Sequence, residues 1–440
     1  MLSAFVRAFK TPDLRKKILF TLAIMALFRL GSHIPAPGID YGLVQRCQDL
    51  ATQTNSVLGL ANLFSGGAML QLSIFALGIM PYITAAIIVQ LLTVVIPRFE
   101  ALKKEGSAGQ SKMTQYTRYL TIGLAVLQSS TLITFARNPS SLFGTGCSTV
   151  MPDESLPVIV IMVLTMTAGT GLIMWLGEQI TERGVGNGMS LLIFTAIAAG
   201  FPASLGIIAQ RSWVILAVVV AIGLVIMTLV VFVEQSQRRI PVQYAKRMIG
   251  RRQYGGTSTY IPLKMNMANV IPIIFASSIL MLPTMVSQFN TNADGTAPAW
   301  ATWVNRYLGM GGAGQDTHWV YMVVYTVLIV FFTFFYVSVT FNPTDVADNM
   351  KKYGGFVPGI RAGRPTAEYL QYVSTRITTV GAIYLAILSL IPIIAFNMLG
   401  TTQDFPFGGA SILIIVGVGL QTVKQIESQL QQHDYEGFLR

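Results

Sequence analysis

WVILAVVVAIGLVIMTLVVFV, residues 213–233, runs without a charged side chain from Trp213 to the first acid, Glu234. A bilayer core about 30 Å thick is crossed by a helix of about 20 such residues. No water reaches backbone N–H and C=O groups there, so a run this long closes its hydrogen bonds within itself, as a helix. A basic segment follows at once, EQSQRRIPVQYAKRMIGRRQYGGTSTYIPLK over 234–264. Apolar span followed by basic loop is the unit from which the rest of the chain is read.

Nine further apolar runs lie near 18–36, 73–95, 118–136, 157–176, 189–209, 267–286, 319–341, 376–397 and 409–423. The last is short and continues toward a polar tail. Only 11% of the 440 residues are charged and 52% are hydrophobic; a soluble domain carries about 25% charged residues. The expected class is an all-α polytopic membrane protein with ten transmembrane helices. The first run follows Arg15-Lys16-Lys17, is too long for a signal-peptide core and has no small-residue cleavage site after it, so it reads as a retained helix.

Lys and Arg set the orientation. With the N-terminus inside, segments 1–17, 97–118, 177–188, 234–264, 342–376 and 421–440 hold 25 of the 30 basic residues. The outside segments hold only Arg46, Arg137, Arg211 and Arg306, and Arg29 lies within the first run. Both termini are therefore expected in the cytoplasm. The net charge of +11 needs no nucleic acid; such patches meet anionic lipid headgroups or an acidic partner.

None of the ten runs contains Asp or Glu, although the chain has 19 acids. Ion-coupled transport usually needs a titratable or ligating group at mid-bilayer. This absence argues against a solute transporter with a midplane polar site. A membrane enzyme is equally poorly served. His33, His318 and His433 are scattered, and neither HExxH nor GxSxG occurs. GSAGQSK (106–112) has Ser111 where a phosphate-binding loop needs Gly, and no buried strand precedes it. Glu178 and Glu182 suit a solvated or Arg-paired face. Arg29 is costly in lipid and must meet backbone or snorkel outward. Cys47 and Cys147 fall in outside loops, free or paired, and no metal-ligand spacing or cofactor motif occurs.

The inside loops 97–118, 234–264 and 342–376 are long and basic. Loop 234–264, with Gly255-Gly256, reads as a two-stranded hairpin. Loop 342–376 has Gly-rich turns around Arg361 and Arg364. These charges serve topology, partner docking or both. Outside, residues 57–64 are apolar but too short to span, and Ser65-Gly66-Gly67 permits a sharp turn. That segment either folds back into the protein's centre or lies on the outer leaflet. Pro81, Pro272, Pro283 and Pro392 fall inside runs, where Pro kinks a helix. Five runs followed by five suggest an inverted repeat on topology alone.

Seven long, non-periodic strings resemble one family closely. They are FSGGAMLQLSIFALGIMPYITAAIIVQLL (64–92), KKEGSAGQSKMTQYTRY (103–119), WLGEQITERGVGNGMS (175–190), QRRIPVQYAKRMIGRR (237–252), MANVIPIIFASSI (267–279), FNPTDVADNMKKYGGFVPGIRAGRPT (341–366) and FGGASILI (407–414). The chain resembles, over essentially its whole length, the SecY/Sec-alpha family of protein-export channels. The resemblance implies two pseudo-symmetric halves, 18–209 and 213–423, around an hourglass pore, with a cytoplasmic N-terminus (1–17) and tail (424–440). It implies a pore ring of Ile79, Ile83, Met189, Ile193, Ile274 and Ile414; Met189 stands where the family usually has a branched aliphatic residue. Residues 57–70 match the plug, with Leu60, Asn62, Leu63, Phe64, Ser65, Gly66 and Gly67. Spans 2 and 7 flank a lateral gate, carrying Pro81 and Pro272, with Thr84, Gln90 and Asn266 as polar contacts across it. Arg251, Arg252 and Arg361 match the loop positions that engage the SecA motor or the ribosome. Further implied partners are SecE-like and SecG-like small subunits, secretory and membrane-protein precursors, anionic lipids, and YidC-type or SecDF-type accessory proteins. The expected place is the bacterial cytoplasmic membrane.

A neutral aliphatic ring fits such a role physically. It closes around any side chain without a specific bond to break, and it excludes hydrated ions by dewetting. A sideways exit would sort segments by transfer energy, about −0.3 to −0.6 kcal/mol per central Leu or Ile against about +2.5 to +3.5 for Asp, Lys or Arg. With no nucleotide site, the energy must come from a partner.

Overall fold

Each of the ten apolar runs carries a helix in the computed structural model, which describes residues 9–51, 66–137, 150–153, 155–211, 213–244, 247–249, 252–254, 258–289, 298–309, 318–399 and 409–438. In chain order the first part holds α1 (Pro12–Gly31), α2 (Tyr41–Ala51), α3 (Met80–Val95), α4 (Pro97–Lys104), α5 (Ser107–Arg137), α6 (Leu156–Arg183) and α7 (Gly188–Arg211). The second holds α8 (Trp213–Gln235), β1 (Gln237–Tyr244), β2 (Arg247–Ile249), β3 (Arg252–Tyr254), β4 (Ser258–Lys264), α9 (Ile271–Phe289), α10 (Ala299–Tyr307), α11 (Trp319–Thr340), α12 (Pro343–Lys352), β5 (Gly355–Phe356), α13 (Arg364–Leu399) and α14 (Gly409–Phe438).

Among the described residues, four helical segments are both long and apolar enough to cross a bilayer: Leu156–Arg183, Leu216–Gln235, Trp319–Lys352 and Arg364–Ile391. A fifth candidate is α3 with α4, bent by 105°. The apolar parts of α7 and α9, Gly188–Pro202 and Ile271–Leu280, are shorter. Helix α3 packs on α5, α5 on α6, α6 on α7, and α1 on α6 and α7. In the second part α9 packs on α11, α11 on α13, and α14 on α8 and α13. The two groups meet where α7 touches α8 and α14, and where α3 touches α9.

Span 2 departs from its expected bounds. Residues 66–79 form consecutive turns and bridges, and α3 starts only at Met80. The run is apolar throughout, but Leu72 (φ 46°) and Gly78 (φ 56°) adopt left-handed backbone that no helix continues through. Several of its backbone groups are satisfied by protein. Ala36 N donates to Leu72 O at 3.0 Å and Ile74 N to Ile34 O at 2.9 Å, pairing this segment with the exit of α1. Irregular backbone at membrane depth is tolerated when buried in this way. Pro81 consequently sits in the first turn of α3, where its missing N–H breaks no intrahelical bond. Pro272 likewise falls in the first turn of α9, after the irregular stretch 265–270 with Asn269 at φ 52°. The expected kinks at these two prolines are therefore helix starts. Pro283 does lie inside its helix, as does Pro202 in α7.

The long basic loops are more ordered than their composition suggested. Loop 97–118 is helical, as α4 and the first turns of α5. The hairpin is present: β1 pairs antiparallel with β4 from Gln237↔Lys264 to Gln243↔Ser258, with β2–β3 nearer its tip. Strand β5, from the other long loop, adds to the free edge of β1 through Gln243↔Phe356 and Tyr244↔Gly355. The sheet order β4-β1-β5 thus joins two loops through strand residues more than a hundred positions apart. Ile240 and Val242 alternate inward onto Leu263, Met350, Val357 and Leu370. Much of loop 342–376 is also helical, in α12 and the start of α13, and Asn342 caps α12 by accepting from Thr344 N at 3.1 Å.

Cys47 of α2 is buried and disulfide-bonded; the only other cysteine of the chain is Cys147, outside the described residues. Glu178 is Arg-paired: Arg118 Nε and Nη2 of α5 each donate to one of its carboxylate oxygens at 2.8 Å. Such a bidentate fork is stronger and more directional than a single-point pair.

Candidate functional site

The expected ring residues come from α3, α7, α9 and α14, and the fold brings them together. Ile79, Ile193 and Ile414 are buried in one apolar cluster, with Ile83 and Met189 packed against it. Ile274 belongs to the neighbouring cluster, and Ile83 and Val270 pack against both. Helix geometry explains the arrangement. Ile79 precedes α3 immediately and Ile83 lies one turn on, on the same face. Ile193 repeats this on α7, one turn beyond Met189. Met189 is also held against α6: a Cβ on Gly177 would lie 2.5 Å from its sulfur. Its thioether therefore seats in the α6–α7 contact as well as the cluster.

Gly66 lies beside this cluster. Its φ is +66°, and a Cβ there would come within 3.0 Å of the Ala196 backbone in α7. Ala196 is a buried member of the same cluster as Ile193. The Gly66 carbonyl accepts a hydrogen bond from Arg29 Nη1 of α1. The costly cation within the first span thus meets backbone inside the protein. Gly67 is also left-handed, at φ 88°. Leu60, Asn62, Leu63, Phe64 and Ser65 lie outside the described residues.

The seam between α3 and α9 is apolar. Ile83, Ile87 and Leu91 face Ile271, Ile274 and Phe275, and Phe275 stacks on Phe332 of α11 with centroids 5.0 Å apart. Pro81 and Pro272 are buried at the two helix starts. Two of the polar side chains expected across the seam, Thr84 and Asn266, bond elsewhere. Thr84 Oγ1 donates to Met80 O in its own helix at 3.0 Å. Asn266 Nδ2 donates to Glu234 Oε1 at 2.7 Å and to Asn269 O at 3.3 Å, tying the end of α8 to the lead-in of α9. Gln90 is half-buried on α3. The Glu234–Asn266 pair, buried and 32 positions apart, was not foreseen; its only sequence signal was an acid at the edge of a span.

Arg361 is exposed between left-handed Gly359 (φ 84°) and Gly363 (φ 104°). The Thr366 hydroxyl holds its carbonyl at 2.8 Å, so the turn presents the side chain to solvent on a fixed base. Arg252 opens β3, and Arg251 lies outside the described residues. Nearby, Arg238 and Arg239 are exposed on β1, and Arg239 stacks over Tyr260 of β4 at 4.9 Å.

No cluster of His, Cys, Asp and Glu able to hold a metal occurs among the described residues. The geometry offers apolar closure, an irregular buried segment and a basic sheet.

Comparison with known proteins places this geometry. The SecY family model matches residues 73–423. A protein translocase subunit SecY from Streptomyces scabiei is 60% identical, with both chains covered completely. Those of Micrococcus luteus and Mycobacterium tuberculosis are 57% and 55% identical, again over full length. Among solved structures, a protein-conducting channel matches with TM-score 0.61 at 16% identity, covering 94% of this chain and 91% of the other. Canine Sec61 in a ribosome–channel complex matches with TM-score 0.58 at 15% identity and the same coverage. Apolar clustering, fold and full-length similarity agree, and the chain belongs to the SecY family of protein translocase subunits, which are multi-pass channel components rather than enzymes.

Proposed function

We propose that this chain forms the pore through which unfolded secretory polypeptides cross the bacterial cytoplasmic membrane, with ten spans and both termini in the cytoplasm. Ile79, Ile83, Ile193, Ile274 and Ile414, with Met189 beside them, form the constriction. Residues 57–70, which include Gly66 and Gly67, are the plug, and α3 and α9 form the lateral gate. One observation carries this reading. Residues from four separate helices converge in adjoining apolar clusters, and the irregular segment 66–79 begins at their edge. The packing of α1 to α7 and of α8 to α14 as two groups supports two halves that part at the α3–α9 seam.

The apolar seam suits a gate that must open toward lipid, since its faces lose little when alkyl chains replace the opposite helix. Arg361, Arg251 and Arg252 serve as docking points for a SecA-type motor or the ribosome. SecE-like and SecG-like subunits complete the assembly, with anionic lipids and YidC-type or SecDF-type proteins as accessories. The test is site-specific crosslinking of a stalled secretory chain. Adducts at both Ile79 and Ile274 are expected; a stalled chain that crosslinks to neither overturns the pore assignment.

A further inference from the structure

Helix α10 lies between α9 and α11, on the side that the Lys and Arg distribution assigns to the outside. Its two faces differ in kind. Ala301 is fully buried, Asn305 accepts a hydrogen bond from the Ser287 hydroxyl of α9 at 2.6 Å, and Leu308 just beyond packs on the core of the second half. These positions, spaced by four and three, share one face. The adjoining face presents Trp300, Trp303 and Tyr307, and both tryptophans are about half exposed, at 46% and 54%. The rings continue into the next helix. Trp303 meets Tyr307 at 5.3 Å, Tyr307 meets His318 at 4.7 Å, and His318 meets Trp319 at 5.7 Å between centroids.

Trp319 is 67% exposed and begins α11. Below it, Val323, Val327, Phe331 and Phe334 are exposed at helical spacing on a helix long and apolar enough to span a bilayer. The aromatic ladder therefore caps a lipid-facing stripe. Indole and phenol rings combine an apolar body with a polar edge and concentrate where acyl chains meet headgroups. Arg306, whose guanidinium lies 5.9 Å from the Tyr307 ring, adds a cation at phosphate level.

We infer that α10 is an interfacial anchor: its Trp300–Trp303–Tyr307 face, with Trp319, seats in the outer leaflet at the headgroup boundary and ties the outer end of α9 to the lipid surface through Asn305 and Ser287. The occupant is the phospholipid interface. A membrane-spanning protein seated here would cover the ladder and the stripe together, and it would be captured as a protein adduct in the crosslinking measurement below. The inference adds a membrane-binding surface to the proposed gate helix. It does not depend on the pore assignment, since a failed crosslink at Ile79 and Ile274 would leave it standing.

The test uses the full chain in sealed vesicles of phosphatidylethanolamine and phosphatidylglycerol. Trp175, Trp213, Trp300 and Trp319 are changed to Phe, leaving Trp303 as reporter. Lipids brominated near the headgroup are expected to reduce Trp303 emission about twofold, because an interfacial helix sits ~5–10 Å into the boundary. Lipids brominated at the chain terminus are expected to quench weakly. Equal insensitivity to both bromine positions overturns the inference, as does strong quenching by the deep position alone. A second measurement places a photo-crosslinker at Trp300 in native membranes. Lipid adducts support the anchor; a discrete protein adduct in their place assigns the face to a protein partner and overturns it. Recovery of each variant as a monodisperse channel shows that the readout comes from folded protein.

Discussion

Arg29 Nη1 of α1 donates to the carbonyl oxygen of Gly66, across 37 positions of sequence. Hydrogen bonds to charged groups contribute about 1.5–3 kcal/mol, and losing this one also strands a buried carbonyl. We predict that Arg29→Met raises the resting ion conductance of the channel by about tenfold or more, the equilibrium equivalent of such a loss. Arg29→Lys keeps a donor and should recover part of the seal. Planar-bilayer recordings without substrate provide the check; wild-type conductance in the Met variant would show that the contact holds nothing shut.

Replacing Ile79, Ile193 and Ile414 together by Gly removes three buried members of one apolar cluster. Resting vesicles should then leak ions. Met189→Gly alone should leak less than Ile193→Gly, because the Met189 sulfur also rests against Gly177. Dye or ion efflux from proteoliposomes ranks the variants, and equal leakage from both single variants would place Met189 in the ring on the same footing as the isoleucines.

Arg361→Glu should abolish most motor-driven export while leaving stability within ~0.5 kcal/mol of wild type, as expected for an exposed surface residue. Thr366→Val tests the same turn differently. It frees the Arg361 carbonyl without touching the charge, and should impair export less. Import of a precursor into inverted vesicles, paired with thermal unfolding, separates docking from folding.

Ile87→Cys with Phe275→Cys bridges the seam between α3 and α9, where both residues share one cluster. Oxidation should block export and reduction should restore it. Export that continues at an unchanged rate through the crosslinked seam would mean that the helices need not part.

The buried Glu234–Asn266 hydrogen bond offers a thermodynamic test. Glu234→Ala and Asn266→Ala should each destabilise the protein, and the double variant should cost less than the sum. The expected coupling is about 1.5–3 kcal/mol, the range for bonds to charged groups. Additive losses would show that the two side chains act independently.

The helices were legible because hydropathy over about 20 residues is a strong local signal. Hydropathy could not separate turn from helix within residues 73–79, since that stretch is apolar in both conformations. What decided it was backbone sign at Leu72 and Gly78, together with pairing to residues 34–36, and neither has a local signature. The ring residues were named only through family resemblance, because an isoleucine on a buried face looks the same in any core. The partners of Arg29 and Glu234 escaped for another reason. Arg29 stood out by its cost in an apolar run and Glu234 only as an acid at the edge of one, but the groups that meet them, Gly66 O and Asn266, come from distant segments. The addition of β5 to β1 was invisible in the same way. Two strand residues, Gly355-Phe356, carry no periodicity at all.

That short strand has a mechanical consequence. Loop 234–264 hangs from α8 and α9, and loop 342–376 from α11 and α13. Because β5 is laced to β1, the two loops cannot swing as separate flaps. A grip on either one loads four helices together, including the helix on one side of the α3–α9 seam. The basic sheet is thus a single handle on the second half of the molecule, and a push at one tip is felt as torque where that half meets the first.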